Sequence, residues 1–101
     1  MTTLTLSDIL DDLRAAEEGM HKFERRYWIS SAHFYELYSR GLLDDGENVE
    51  DFAEWAGHYK LMQKRQAALE QISKERIDGL RQQAGVDAIR LTPAEPALKL
   101  G

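Results

Sequence analysis

Apolar residues recur along the first quarter of the chain at the spacing of an α-helix with one buried face. Every third or fourth position is apolar, at Leu6, Ile9, Leu10, Leu13, Ala16, Met20, Phe23 and Tyr27. Ser7 is a suitable N-cap, and the carboxylates after it suit the positive end of a helix dipole. The pattern therefore predicts a first helix over residues 7–28.

Two further segments have helix-start signals ahead of helix-compatible sequence. Ser30 and Ser31 can each cap a short second helix over residues 31–40. Asn48 can cap a third helix over residues 48–84, a stretch that contains no proline. The sequence thus predicts an all-α protein with a short connecting helix and one long helix.

The helical pattern stops before the end of the chain. Residues 1–85 form a single predicted helical domain, and Gly85 suits a helix C-terminus. The remainder, residues 86–101, carries Pro93 and Pro96. We expect this remainder to be a flexible tail.

The short connection between the two long helices favours an antiparallel helical hairpin. Charge agrees with this arrangement, because residues 8–18 carry a net charge of −4 and residues 62–76 carry +2. An antiparallel hairpin brings these stretches side by side. Exposed ion pairs contribute little energy, so the charges set orientation more than stability.

The third predicted helix is longer than the first, which leaves part of it uncovered. With Phe52 placed beside Tyr27 in an antiparallel pair, the N-terminal end of the first helix lies opposite residue 73. Beyond that point, Ile77 and Leu80 lack cover from their own chain, and an uncovered apolar edge needs a partner. We therefore expect a homodimer that forms a four-helix bundle or coiled coil, or binding to a different protein. The residues expected at the interface are Leu6, Leu10, Leu13, Leu69, Ile72, Ile77 and Leu80.

All nine aromatic residues lie between residues 23 and 59, where the three predicted helices meet. Their helical spacing favours a core at one end of the hairpin over a platform for stacking nucleic-acid bases. Trp28 and Tyr35 are the two best suited to the surface. The residues expected in the aromatic core are Phe23, Tyr27, Phe34, Tyr38, Phe52, Trp55 and Tyr59.

Composition narrows the classes of function. Ala, Glu, Lys, Leu and Arg make up 47 of the 101 residues, as in long helices and coiled coils. There is no cysteine, so disulfides and thiolate chemistry are excluded. The net charge of −5 disfavours nucleic acid as a partner. No apolar stretch suits a membrane or a secretion signal, so we expect a cytoplasmic protein.

One candidate metal site can be assembled from the sequence. Glu18 and His21 have the Glu-x-x-His spacing of di-metal helical bundles, and Glu54 would complete the ligands in a dimer. Helical phase opposes this site, because Glu18 lies roughly 140° from Leu13 around the first helix. We therefore expect solvated side chains and no bound metal.

Two other polar groups have simple structural interpretations. Glu54 and His58 are four residues apart, as in an acid–base pair, but a surface helix pair explains them as well. The acidic turn of residues 44–51 lacks the ligand spacing of a calcium loop and fits helix capping. We therefore expect no catalytic residue, no cofactor and no enzymatic activity.

Several short sequences occur in a fixed order between residues 25 and 56. They are Arg25-Arg26-Tyr27, Ser30-Ser31, Phe34-Tyr35-Glu36, Arg40-Gly41, Asp44-Asp45 and Asp51-Phe52-Ala53-Glu54-Trp55-Ala56. This order resembles a set of small bacterial and archaeal helical proteins, some of which look like antitoxins encoded beside small toxins. The match covers about a third of the chain, and Trp28-Ile29 stand where that set has Gly-Met. The resemblance implies a shared helical fold and brings no catalytic residue with it.

The sequence predicts a protein that acts by protein–protein interaction. The resemblance adds an antitoxin-like role, in which the end of the third helix and Val86, Ile89 and Leu91 mask a small toxin-like protein. A structural homodimer without such a partner is one alternative. A di-metal carboxylate bundle is the other. Neither nucleic acid nor a membrane is an expected partner.

Overall fold

A computed structural model describes residues 4–44 and 46–93. The chain forms three helices, α1 (Leu6–Tyr27), α2 (Ser31–Ser39) and α3 (Val49–Ala84), and the described residues contain no strand. The prediction of an all-α protein is confirmed.

The internal contacts of the chain fall into two units, Met1–Leu69 and Glu70–Gly101. Asp45 of the predicted acidic turn and residues 94–101 of the predicted tail lie outside the described residues.

Helix α1 begins with a capping box rather than with the expected serine cap. The Thr5 hydroxyl accepts a hydrogen bond from the Asp8 N–H at 3.1 Å, and Asp8 Oδ2 accepts one from the Thr5 N–H at 3.1 Å. The prediction that Ser7 is the cap is wrong, because only a residue three positions before Asp8 can exchange both bonds with it. The helix buries one face, formed by Ile9, Leu13, Ala16, Met20 and Phe23.

Helix α1 ends at a residue with unusual backbone geometry. Trp28 adopts the left-handed conformation, with φ 65° and ψ 31°, and its N–H donates to the Glu24 carbonyl at 2.9 Å. The other described residues with positive φ are Gly41 and Gly85, at 68° and 62°. Glycine is favoured in this region because it has no Cβ to collide with the carbonyl oxygen. A tryptophan there is therefore strained.

Helix α2 is capped by Ser30, one of the two serines that the sequence allowed as its cap. The Ser30 hydroxyl accepts from the His33 N–H at 3.1 Å, and the helix ends before Arg40. Ser31 and Phe34 are its buried residues. This short helix therefore places one polar and one aromatic side chain in the interior.

Polar contacts between α1 and the first part of α3 follow a regular order. Tyr27 contacts Asp51, Lys22 contacts Glu54, and Asp12 contacts Arg65. Residue numbers fall along α1 as they rise along α3. The Asp12–Arg65 ion pair is the shortest of the α1–α3 ion pairs in the described residues, at 2.7 Å, and its two side chains are 38% and 23% exposed.

Three aromatic side chains form the centre of the first unit. Phe23, Phe34 and Trp55 are at most 1% exposed, and each comes from a different helix. The Phe34 and Trp55 rings stack with centroids 3.9 Å apart and an interplanar angle of 2°. Phe23 stacks on Trp55 at 5.6 Å. These three rings therefore join all three helices in one contact.

A close approach of α3 to α1 depends on a glycine. An added Cβ at Gly19 would lie 2.6 Å from ring atoms of His58. The His58 ring is tilted against Phe23, at 6.4 Å between centroids. Gly19 therefore leaves the space that the imidazole of His58 occupies.

The second unit contains the end of α3 and the chain beyond it. Gly85 adopts positive φ, and Leu80 borders one small cavity with Ala84, Asp87 and Ala88. Leu80 is only 8% exposed. The prediction that Leu80 lacks cover from its own chain is wrong, because the chain after Gly85 returns alongside the helix end.

Candidate interaction surfaces

A buried polar chain links the three helices beside the aromatic rings. Trp55 Nε1 donates to the Ser31 hydroxyl at 2.8 Å, and that hydroxyl donates to Glu24 Oε2 at 2.7 Å. The Ser31 N–H donates to the same carboxylate oxygen at 3.0 Å. Ser31 is 4% exposed, and in the described residues no buried side-chain nitrogen or oxygen lacks a partner. These hydrogen bonds therefore satisfy the polar groups that the core encloses.

Among the groups joined by these hydrogen bonds, the Glu24 carboxylate lies nearest to solvent. Its Oε1 accepts from His21 Nδ1 at 2.7 Å. Burial raises the pKa of Glu24, but the hydrogen bonds from His21 and Ser31 outweigh it, so the pKa lies below its ordinary value. Glu24 is therefore held in its charged form by α1 and α2 together.

A second polar contact lies at the other side of the aromatic cluster. The Tyr27 hydroxyl donates to Asp51 Oδ2 at 2.6 Å, and Arg26 Nε lies 3.4 Å from the same oxygen. Burial raises the pKa of Tyr27, and the nearby Asp51 carboxylate raises it further. The phenol therefore stays protonated and acts as a donor between α1 and α3.

The residues considered for chemistry are engaged in pairs. His21 bonds Glu24, while Glu54 lies 3.4 Å from Lys22 Nζ and 3.6 Å from His58 Nε2. Glu18 is exposed. Among residues 4–44 and 46–93, no group of three or more His, Cys, Asp or Glu side chains is placed to hold a metal ion.

The aromatic residues expected in the core all lie in one cluster. Phe23, Phe34 and Trp55 are buried, and Tyr27, Tyr38, Phe52 and Tyr59 pack against them half-buried. Tyr35, expected at the surface, is half-buried and stacks on Tyr59 at 4.9 Å. Trp28, also expected at the surface, is 88% exposed.

The residues expected at an interface divide into three groups by exposure. Leu6, Leu10 and Ile72 are exposed, Leu69 and Ile77 are half-buried, and Leu13 and Leu80 are buried. Leu13 and Leu80 therefore serve the interior of the chain. Leu6 and Leu10 remain accessible on α1.

Each unit has its own exposed apolar side chains. In the first unit the large ones are Leu4, Leu6, Leu10, Trp28, Leu42 and Val49. In the second unit they are Ile72, Val86, Ile89 and Leu91. Val86 is 103% and Leu91 75% exposed, and both lie beyond the end of α3. Exposed residues of this size are candidates for contacts with another protein.

Sequence reasoning missed the Glu24–Ser31–Trp55 chain and the contact of His58 with Gly19. Glu24 and Ser31 stand at the α1 and α2 ends that the sequence indicated, but side-chain spacing does not show that they meet. The one available signal for Gly19 was its position within a helix, where glycine is unfavourable. Such a glycine often has a packing reason.

Comparison of the chain with models of protein families, with curated proteins and with solved structures finds no match. In the described residues no helix combines the length and the apolar character needed to cross a membrane. The geometry of the exposed residues is therefore the basis on which a function can be proposed.

Proposed function

We propose that this chain is a non-enzymatic interaction protein that masks a small toxin-like protein in the manner of an antitoxin. One observation carries the proposal. Val86, Ile89 and Leu91 are 103%, 43% and 75% exposed on the segment after α3. Their side chains gain little from the fold of this chain, and contact with a partner would remove them from water.

The backbone around these residues suits such a contact. Residues 88–93 have neither helical nor strand structure. The Arg76 guanidinium donates to the Thr92 carbonyl. This is an exposed side-chain bond, so little energy opposes its rearrangement. An extended apolar segment can add a strand to the edge of a partner's sheet.

The proposal includes a helical hairpin that assembles as a four-helix homodimer. The reversed order of the α1–α3 contacts supports the hairpin. The exposure of Leu6 and Leu10, at 37% and 47%, supports a second copy on α1. A small helical chain gains stability when a second copy covers such residues.

Co-expression with the product of the neighbouring gene tests the masking role. That product alone is expected to arrest growth, and the full chain is expected to relieve the arrest and to copurify with it. The variant Val86→Ser/Ile89→Ser/Leu91→Ser is expected to lose both effects. The matched control Leu42→Ser/Val49→Ser changes exposed apolar residues elsewhere and is expected to keep them. A neighbour that is harmless and does not bind contradicts the masking role.

A structural homodimer is the second candidate, and the exposure of Leu6 and Leu10 favours it. It predicts that the Val86→Ser/Ile89→Ser/Leu91→Ser variant loses no binding event. Analytical ultracentrifugation with and without the neighbouring product separates the two candidates. Loss of a heterologous complex supports masking, and an unchanged homodimer with no heterologous complex supports the structural role.

A further inference from the structure

A second row of side chains runs along α1 beside the buried face. Its spacing alternates four and three residues and reads the same in both directions: Leu10, Arg14, Glu17, His21, Glu24 and Trp28. At 3.6 residues per turn, the helical members lie within about 40° of one line, roughly 100° from the buried face. Alternating steps of four and three are the spacing of coiled-coil contacts. We call this row the outer stripe.

The outer stripe is accessible along its length. Leu10 is 47% and Trp28 88% exposed, and the side chain of His21 is 58% exposed. Arg14 and Glu17 are exposed as well. Glu24 is the least accessible member, with 29% of its side chain exposed. The stripe therefore has apolar residues at its two ends and polar or charged residues between them.

Trp28 is energetically unfavourable in two ways that contacts within its own chain do not compensate. Its backbone is in the left-handed region, where the chain uses glycine at Gly41 and Gly85. A non-glycine residue there costs about 1–2 kcal/mol. Its indole is also almost fully exposed. Strain combined with exposure of a large aromatic side chain points to a binding role.

We propose that the outer stripe binds the outer stripe of a second copy in antiparallel orientation, centred on residue 19. This inference rests on the self-association included in the proposed function and adds the face and the register. Three pairs then form, each of them twice: Leu10 with Trp28, Arg14 with Glu24, and Glu17 with His21. Each indole covers a leucine, and each guanidinium meets a carboxylate.

The charges select this orientation over a parallel one. In a parallel pairing, Arg14 would face Arg14, Glu17 would face Glu17, and Glu24 would face Glu24. Like charges placed opposite each other are unfavourable. The antiparallel register replaces each of these contacts with a pair of different residues. Glu24 keeps its bonds to Ser31, which use Oε2, and offers the side of Oε1 to Arg14 of the second copy.

Disulfide cross-linking in the full chain tests the register, since the natural sequence has no cysteine. Leu10→Cys and Trp28→Cys are prepared as separate proteins and are used at a concentration at which sedimentation shows each to be a dimer, since either change removes part of the proposed contact. Mixed and mildly oxidised, the two are expected to cross-link at least fivefold faster than either alone. In this register, identical positions lie about 27 Å apart, beyond the reach of a disulfide.

Two results would contradict the register while leaving self-association intact. One is faster cross-linking within either single variant, and the other is absence of cross-links in proteins that sediment as dimers. A natural chain that sediments as a folded monomer at high concentration overturns the register and the proposed self-association together.

A charge exchange checks the same register without the apolar residues. Glu17→Lys and His21→Glu are each expected to weaken the dimer by about fivefold in Kd, because Glu17→Lys removes the carboxylate that faces His21 and His21→Glu places two carboxylates opposite each other, in both cases twice per dimer. The double variant restores an opposite pair and is expected to return near the natural Kd. Equal weakening in the single and double variants contradicts the proposal, and circular dichroism checks that each variant is folded.

Discussion

The two units differ in where their apolar residues lie. In Met1–Leu69, the rings of Phe23, Phe34 and Trp55 are at most 1% exposed, and the polar groups beside them are all bonded. In the described part of Glu70–Gly101, Leu80 is the one buried residue, while Val86 and Leu91 are exposed. The comparison separates residues that stabilise the fold of this chain from residues that remain available to another protein.

The largest expected effect comes from the aromatic core. Phe34→Ala is expected to lower the free energy of unfolding by about 3–5 kcal/mol, because it removes a fully buried ring and leaves a cavity. Leu80→Ala in the second unit is expected to cost less than half of that. Urea unfolding followed by circular dichroism measures both, and Phe34→Leu gives a graded loss if Phe34→Ala does not fold. Equal costs at Phe34 and Leu80 would remove the contrast between the units.

The next effect concerns the buried polar chain. Ser31→Ala is expected to cost about 1–3 kcal/mol of unfolding free energy, because Trp55 Nε1 and the Glu24 carboxylate both lose a partner. Ser39→Ala, at an exposed position of the same helix, is expected to change stability by about 0.5 kcal/mol or less. If Ser31→Ala and Ser39→Ala lower the free energy of unfolding equally, the hydrogen bonds of Ser31 do not stabilise the first unit.

A glycine pair sharpens the comparison within the first unit. Gly57→Ala has open space around its Cβ and is expected to stabilise α3 by up to about 1 kcal/mol. Gly19→Ala is expected to be about 1–3 kcal/mol less favourable than Gly57→Ala, because its Cβ would collide with the His58 ring. Thermal unfolding of both variants measures the difference. Adding His58→Ala to each should make the two glycines behave alike, and a persistent difference would locate the strain elsewhere.

The smallest effect is a pH dependence centred on Glu24. Its pKa is lower in the folded chain than the ordinary value of 4.5, so its contribution to stability is present above that value. The contribution is lost as the pH falls through the lowered pKa. The free energy of unfolding should therefore fall more between pH 6 and pH 3 for the natural chain than for Glu24→Gln. Glu36→Gln, at an exposed position, should match the natural chain.

The sequence was sufficient for the helices because their signals are local. Apolar spacing and caps placed the three helices within two residues of their observed bounds. The cap of α1 was misplaced because Ser7 and Thr5 both suit a cap, and only the bond between Thr5 and Asp8 distinguishes them. The helical spacing of the aromatic residues predicted seven members of the aromatic cluster, but the expectation of Tyr35 at the surface is wrong, because Tyr35 stacks on Tyr59.

Contacts that depend on side-chain direction could not be read from spacing. The cover of Leu80 required the chain to reverse after Gly85, and a glycine at that position does not fix the direction of the residues beyond it. The left-handed conformation of Trp28 was equally hidden, since tryptophan is not the residue expected there. Trp28 is itself exposed, and Leu80 precedes the exposed residues Val86 and Leu91.

We infer that exposed apolar residues of this chain serve binding rather than folding, and Trp28→Gly tests this inference most directly. Sedimentation equilibrium and urea unfolding are measured on the natural chain and the variant at matched concentrations. The variant is expected to raise the dimer Kd at least about tenfold, because each dimer loses two indole contacts. In the monomer it is expected to gain about 1 kcal/mol of unfolding free energy, because the strain at residue 28 is relieved. An unchanged Kd or a less stable monomer would contradict the claim.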